Sequence, residues 1–247
     1  MGKRPLVRRR GRGGMQFRAA VTGKLKPAKY PSFDLDENRQ GEIIDLVHET
    51  GRDAPLSKVR FEDGSISFIP AILGTKVGSK IDFGLESEIK DGNVISIQNI
   101  PDGTIVCNVE KQFGDGGTLI KSAGGDATVF SHTDNGVILK LPSGKFTKLN
   151  PKNRAMIGTL AGGGVEDRPL MRAGVAWRRF KSKGQKYPIV RGVAQAAYVH
   201  PHGGGRHQHV GQSSTVSRNA PPGAKVGSIA ARKTGRARIK ERKQSIK

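Results

Sequence analysis

Four of the six histidines in this 247-residue chain fall within ten positions, in the stretch RGVAQAAYVHPHGGGRHQHVGQ (191–212). His200 and His202, then His207 and His209, stand two residues apart on either side of Gly203-Gly204-Gly205. Neutral imidazole is a good zinc or copper ligand, so the spacing raises a metal site or a proton-transfer site. The neighbouring residues argue against both. No Cys, Asp or Glu lies between Gly192 and Lys240 to complete a ligand set or orient a ring. Arg206, inside the cluster, would repel a divalent cation. Ser213, Ser214 and Ser217 follow, but no nearby carboxylate completes a nucleophile–base–orienter chain.

A polyanion explains more of the same residues. Three successive glycines expose backbone N–H groups and let a phosphate backbone approach without Cβ interference. Arg191, Arg206 and Arg218 offer charge-assisted bonds to phosphate oxygens. Positive surroundings keep the histidines mostly neutral, able to bond ribose 2′-hydroxyls or stack on bases. The stretch reads as an RNA-contact loop, continued by the basic tail PGAKVGSIAARKTGRARIKERKQSIK (222–247).

Charge distribution supports that reading. The net charge is +22. Residues 1–30 hold ten basic and no acidic residues, 31–150 hold 12 and 18, and 151–247 hold 21 and 3. A slightly acidic middle is therefore flanked by two intensely basic arms, the pattern of a folded body with polyanion-binding extensions. Aromatics are 5% against 34 glycines, which favours small cores over one deep core. The single cysteine, Cys107, rules out an intramolecular disulfide and fits a reducing cytoplasm. No basic-then-apolar secretory leader and no membrane-length apolar run is present, so a soluble intracellular chain is expected. G-x-x-x-x-G-K-[ST], H-E-x-x-H and G-x-S-x-G are all absent, which leaves no nucleotide-hydrolase, zincin or serine-hydrolase signature.

The elements that must position these residues are strands. GEIIDLVHE (41–49), KVRFEDGSISFIPAIL (58–73, turning at Asp63-Gly64), KIDFGL (80–85) and NVISIQNI (93–100) suit a small barrel at about 36–90. TIVCNVEKQ (104–112), TLIKSAG (118–124), ATVFSHTD (127–134), GVILKLPSGKFTKLN (136–150) and RAMIGTLAG (154–162) predict a second at 91–165. The glycine runs 114–117, 124–126 and 162–164 lie between strands and read as turn residues. Beyond Gly162 the pattern ends. Residues 166–247 form a basic glycine-rich extension holding at most a short helical turn, as residues 1–35 form a basic N-terminal one. Trp177, Phe180 and Tyr187 are available there to stack on bases, unless Trp177 plugs the adjoining barrel.

RRRGRGG (8–14), CNVE (107–110), GDGG (114–117), LPSGK (141–145), AMIGTLAGGG (155–164), VRGVA (190–194), HPHGGG (200–205), SRNAPPGAKVG (217–227) and KTGRAR (233–238) together carry a resemblance. In that order and spacing they resemble the large-subunit ribosomal protein L-two family, over essentially the whole chain, in its archaeal and eukaryotic branch. The resemblance implies a mainly β protein with an OB-fold barrel, then an SH3-like barrel, then the extensions. It implies a structural, non-enzymatic constituent of the cytoplasmic ribosome that binds large-subunit rRNA. Subunit association, tRNA binding and support of the peptidyl-transferase region are implied with it. Partners are then rRNA, neighbouring ribosomal proteins and the small subunit, with no membrane, cofactor or small-molecule substrate. In the family the HPHGGG loop reaches toward the catalytic centre, and a helper role in peptidyl transfer would fall on His200.

This chain departs from the family's N-x-V-[DE]-H-P pattern, with Ala196 and Val199 at the asparagine and carboxylate positions. An Asp–His proton-transfer pair therefore lacks its orienting member, which favours a structural loop. The expected RNA contacts are Arg8, Arg9, Arg10, Arg12 and Arg18 in the first arm and Arg178, Arg179, Lys181, Lys183 and Lys186 in the connector. Arg191, His200, His202, Gly203, Gly204, Gly205, Arg206, His207, His209 and Arg218 follow in the loop, then Arg232, Lys233, Arg236 and Arg238 in the tail. The competing expectation is a His-dependent co-catalyst or a metal site within His200–His209.

Overall fold

The computed structural model describes residues 4–32, 38–84 and 87–232. A five-residue helix α1 (Leu6–Arg10) precedes ten strands: β1 (Arg39–Val47), β2 (Leu56–Phe61), β3 (Ile66–Pro70), β4 (Lys80–Phe83), β5 (Val94–Ser96), β6 (Ile105–Cys107), β7 (Ala127–Thr133), β8 (Gly136–Lys140), β9 (Phe146–Leu149) and β10 (Arg154–Ile157). Helix α2 (Ala173–Ser182) and the two-residue strands β11 (Thr215–Val216) and β12 (Ser228–Ile229) follow. The chain is mainly β, an OB-like barrel followed by an SH3-like barrel, as expected. The ten strands form one sheet, ordered β3-β2-β1-β4-β5-β10-β6-β7-β8-β9.

Turn chemistry sets the hairpins. Gly64 takes φ +78°, and Asp63 Oδ1 accepts the Ser65 N–H at 2.8 Å, reversing the chain between β2 and β3. Gly144 (φ +74°) does the same between β8 and β9. Gly114, Gly116, Gly117, Gly124 and Gly162 also adopt positive φ, so most of the between-strand glycines are the turn residues anticipated.

Two apolar cores share three strands. Val94 of β5, Cys107 of β6 and Met156 of β10 point into the first core, with Ile43, Val59, Phe61, Ile69 and Ile81. Their neighbours Ile95, Val106, Ala155 and Ile157 point into the second, with Val129, Val137, Leu139 and Leu149. Successive side chains on a strand face opposite ways, so β5, β6 and β10 feed both cores at once. That explains why NVIS and RAMI read as unbroken buried runs rather than alternating ones.

A buried ion pair closes this centre. Glu110, fully buried, accepts from the Gly116 and Arg154 backbone N–H groups (both 3.0 Å) and from Arg154 Nε (3.2 Å) and Nη2 (2.7 Å). Arg154 Nη1 donates onward to the Pro31 carbonyl at 3.1 Å, tying the segment before β1 to β10.

Two segments differ from expectation. TLIKSAG is not a strand; it makes a single bridge, Val109 with Leu119, because Asn108 and Ile120 both lie at positive φ and break the ladder. The connector holds a full ten-residue helix rather than a turn. Arg179 of α2 and Lys183, which caps it, reach Asp53, and Gly184 (φ +68°) follows the cap. Chain packing divides into two units, residues 20–183 and, together, the described parts of 1–19 and 184–247.

Candidate nucleic-acid interface

In the second of these units the HPHGGG loop is built by backbone bonds and by missing side chains. The Val199 and His200 N–H groups both donate to the Ala196 carbonyl, and Gly203 N–H to the His200 carbonyl at 2.9 Å. Gly204 N–H returns to the Gln195 carbonyl at 3.0 Å. A Cβ on Gly203 would lie 2.4 Å from that same oxygen, and Gly204 and Gly205 both sit at φ +84°. At least two of the three glycines are thus required by the loop's own fold.

The histidines are held in two pairs. His200 packs edge-on to His202 at 5.1 Å, and His207 lies 5.9 Å from His209. The His200 ring rests against Gly192, where any Cβ would come within 2.3 Å of it. His200 Nδ1 accepts the His202 backbone N–H at 3.0 Å. Burial, then the neighbouring His202, holds His200 below the ordinary histidine pKa, so the ring is neutral near pH 7. With Nδ1 used as an acceptor, the neutral ring carries its proton on Nε2 and presents a donor there. No group of three or more metal-ligating side chains forms among the described residues.

The described cations of this unit are displayed rather than paired with carboxylates. Arg8, Arg9, Arg10, Arg12 and Arg18 are exposed, the last bonded to the Gly13 carbonyl at 3.1 Å. Arg206, Arg218 and Arg232 are exposed too, and Arg191 donates to Gln208 Oε1 at 3.2 Å. Lys186 is half-buried in this unit. Lys233, Arg236 and Arg238 lie outside the described residues.

The connector cations belong to the other unit and divide by role. Lys183 Nζ lies 2.6 Å from Asp53 Oδ2 and Arg179 Nη2 lies 3.5 Å from it. The hydrogen bond from Lys183 is the main reason Asp53 stays below its ordinary pKa. Arg178 and Lys181 are exposed; Lys181 Nζ sits 4.6 Å over the Trp177 ring. Trp177 is itself 46% exposed, so it does not plug a barrel.

A family model described as Ribosomal Proteins L2, C-terminal domain, matches residues 90–242. The large ribosomal subunit protein uL2 of Cenarchaeum symbiosum is 79% identical over 243 residues, covering 98% of this chain and all of its own. That of Nitrosopumilus maritimus is 78% identical over 244 residues, with the same coverage. That of Sulfolobus acidocaldarius is 45% identical over 236 residues, covering 96% of this chain and 98% of its own. The chain belongs to the uL2 family.

The Ala196 carbonyl accepts from two loop N–H groups, and the His200 ring is oriented by a backbone N–H. Arg168 and Arg172, which are not among the expected contacts, are exposed near the exposed Met171. With Arg179, Asp53, Leu170, Met171 and Val175 they line a cavity of about 530 Å³.

Proposed function

We propose that this chain is a structural constituent of the large ribosomal subunit, working in the cytoplasmic ribosome and held there by rRNA. A relative 79% identical over 98% of this chain and the whole of its own is named as a large ribosomal subunit protein. The observation that carries the RNA reading is charge without counter-charge. Residues 1–19 and 184–247 contain 20 Lys and Arg against one acidic residue, Glu241. Such a unit cannot neutralise itself, and phosphates supply what it lacks.

In this reading the barrels, with boundaries near 35, 90 and 165, anchor the chain and the extensions run along RNA. The exposed arginines bind phosphate and the HPHGGG loop presents His200 Nε2–H to a phosphate or 2′-hydroxyl oxygen. Neighbouring ribosomal proteins and the small subunit complete its surroundings. The His200 hydrogen bond also argues against a base role in peptidyl transfer, because the neutral ring's one lone pair is already engaged at Nδ1.

The test is reconstitution. Large subunits stripped of their own copy by salt are mixed with labelled chain and sedimented. Stoichiometric co-sedimentation with the subunit is expected, unchanged for His200→Gln in peptidyl-transfer rate per assembled particle. Label remaining at the top of the gradient would refute the constituent role. A large rate loss in fully assembled His200→Gln particles would restore the co-catalyst.

A further inference from the structure

The outer face of the second barrel carries an arrangement that none of the above uses. Pairing places Ile105 opposite Thr128, Thr128 opposite Lys140, and Lys140 opposite Phe146, one rung running across four strands. A β-bulge between Val129 and Ser131 leaves Phe130 as the extra residue of β7. Its ring meets Phe146 edge-to-face at 4.9 Å. Both rings stay open to solvent, Phe130 at 51% and Phe146 at 39%.

Charge selects the occupant. The strand residues of β6, β7, β8 and β9 include no Asp or Glu, the nearest in the chain being Asp126 before β7 and Asp134 in the β7–β8 turn, while Lys140, Lys145 and Lys148 are all exposed on β8, β9 and the turn between them. The corresponding ladder of the first barrel is neutralised across strands, by Arg60 with Glu42 and Arg39 with Asp63, both at 3.1 Å. Two exposed rings beside uncompensated lysines are the components of a single-strand platform, on which bases stack and phosphates meet ammonium groups. A protein partner would find the same lysines costly to desolvate unless it were itself acidic.

We propose that Phe130 and Phe146, with Lys140 and Lys148, form a stacking site for an unpaired segment of large-subunit rRNA, separate from the basic extensions. This rests on the rRNA reading above, and the experiment separates the two. The full-length chain is titrated with large-subunit rRNA across a salt series, as wild type, Phe130→Leu/Phe146→Leu, Phe130→Trp/Phe146→Trp and Lys140→Gln/Lys148→Gln. Leucine keeps apolar area but removes the π face. Both rings are exposed, so each variant should retain the wild-type unfolding midpoint.

The leucine pair should lose about ten-fold or more in affinity at unchanged salt slope, within the range of about 1–3 kcal/mol per stacked base. The tryptophan pair should keep or exceed wild-type affinity. The lysine pair should lower the slope by about 1.4 to 1.8. Wild-type affinity in the leucine pair would overturn the proposal and leave the rRNA reading standing, as would loss of a neighbouring ribosomal protein in that variant with RNA binding intact. No rRNA binding by the wild type would overturn both.

Discussion

Residues 20–183 carry 23 Lys and Arg against 20 Asp and Glu, whereas residues 1–19 and 184–247 carry 20 against one. In the first region cations build the fold: Arg154 on Glu110, Arg52 on Glu49, Lys183 and Arg179 on Asp53. In the second, the described cations find only a carbonyl at Gly13 and an amide at Gln208. The same residue types thus do opposite work. Where a carboxylate stands within reach, an arginine stabilises the chain; where none exists, it remains available for a foreign anion.

Breaking the paired region should cost most. Glu110→Ala strands Arg154 without its buried partner and is expected to destabilise residues 20–183 by about 3–5 kcal/mol, read by denaturant unfolding. A shift under 1 kcal/mol would mean that the pair is not central. In the unpaired region, Arg8, Arg9, Arg10 and Arg12 replaced together by Gln should leave the unfolding midpoint unmoved. The slope of log affinity for rRNA against log salt should fall by about 3 to 4. An unchanged slope would show that this arm is idle.

Gly204→Val places a branched side chain at φ +84°, with its Cβ 2.9 Å from the Ala197 Cβ. It should strain the HPHGGG loop by about 1–3 kcal/mol and weaken rRNA binding, without touching the barrels. Normal incorporation into reconstituted subunits would count against a loop contact.

A further test addresses Lys121, a half-buried cation of the paired region that is held by carbonyls alone. Lys121 Nζ donates to the Gly117 carbonyl at 2.8 Å and to the Ala28 carbonyl, and burial pushes its pKa down to about 8 from 10.5. Below pH 8 the folded state bears the full cost of the buried charge. Between about 8 and 10.5 the folded chain sheds this proton before the unfolded one does, so stability should rise with pH. Lys121→Met should flatten that rise in a pH series of unfolding free energies, and an identical slope in both proteins would refute the assignment.

How far the sequence reveals all this depends on whether the cause is local. The hairpins at Asp63-Gly64 and 141–145 were legible because the turn needs a glycine at positive φ, whatever surrounds it. The basic extensions were legible because charge adds up without a fold. The sharing of β5, β6 and β10 between two cores was not, since burial on both faces erases the alternation that marks a strand. Helix α2 was missed because its basic residues look solvated until Asp53, some 130 positions away, is placed beside Lys183. The HPHGGG glycines were visible as a motif, but sequence could not divide them between a ligand's approach and the loop's own packing at Gln195.

The central claim is that the uncompensated cations exist for large-subunit rRNA. It is tested most directly by titrating the purified chain with large-subunit rRNA fragments and with a scrambled RNA of equal length, over a salt series with and without chelator. Binding selective for the rRNA fragments is expected, persisting at about 0.15 M salt and indifferent to chelator. Equal affinity for both RNAs at every salt concentration, or binding abolished by the chelator, would contradict it.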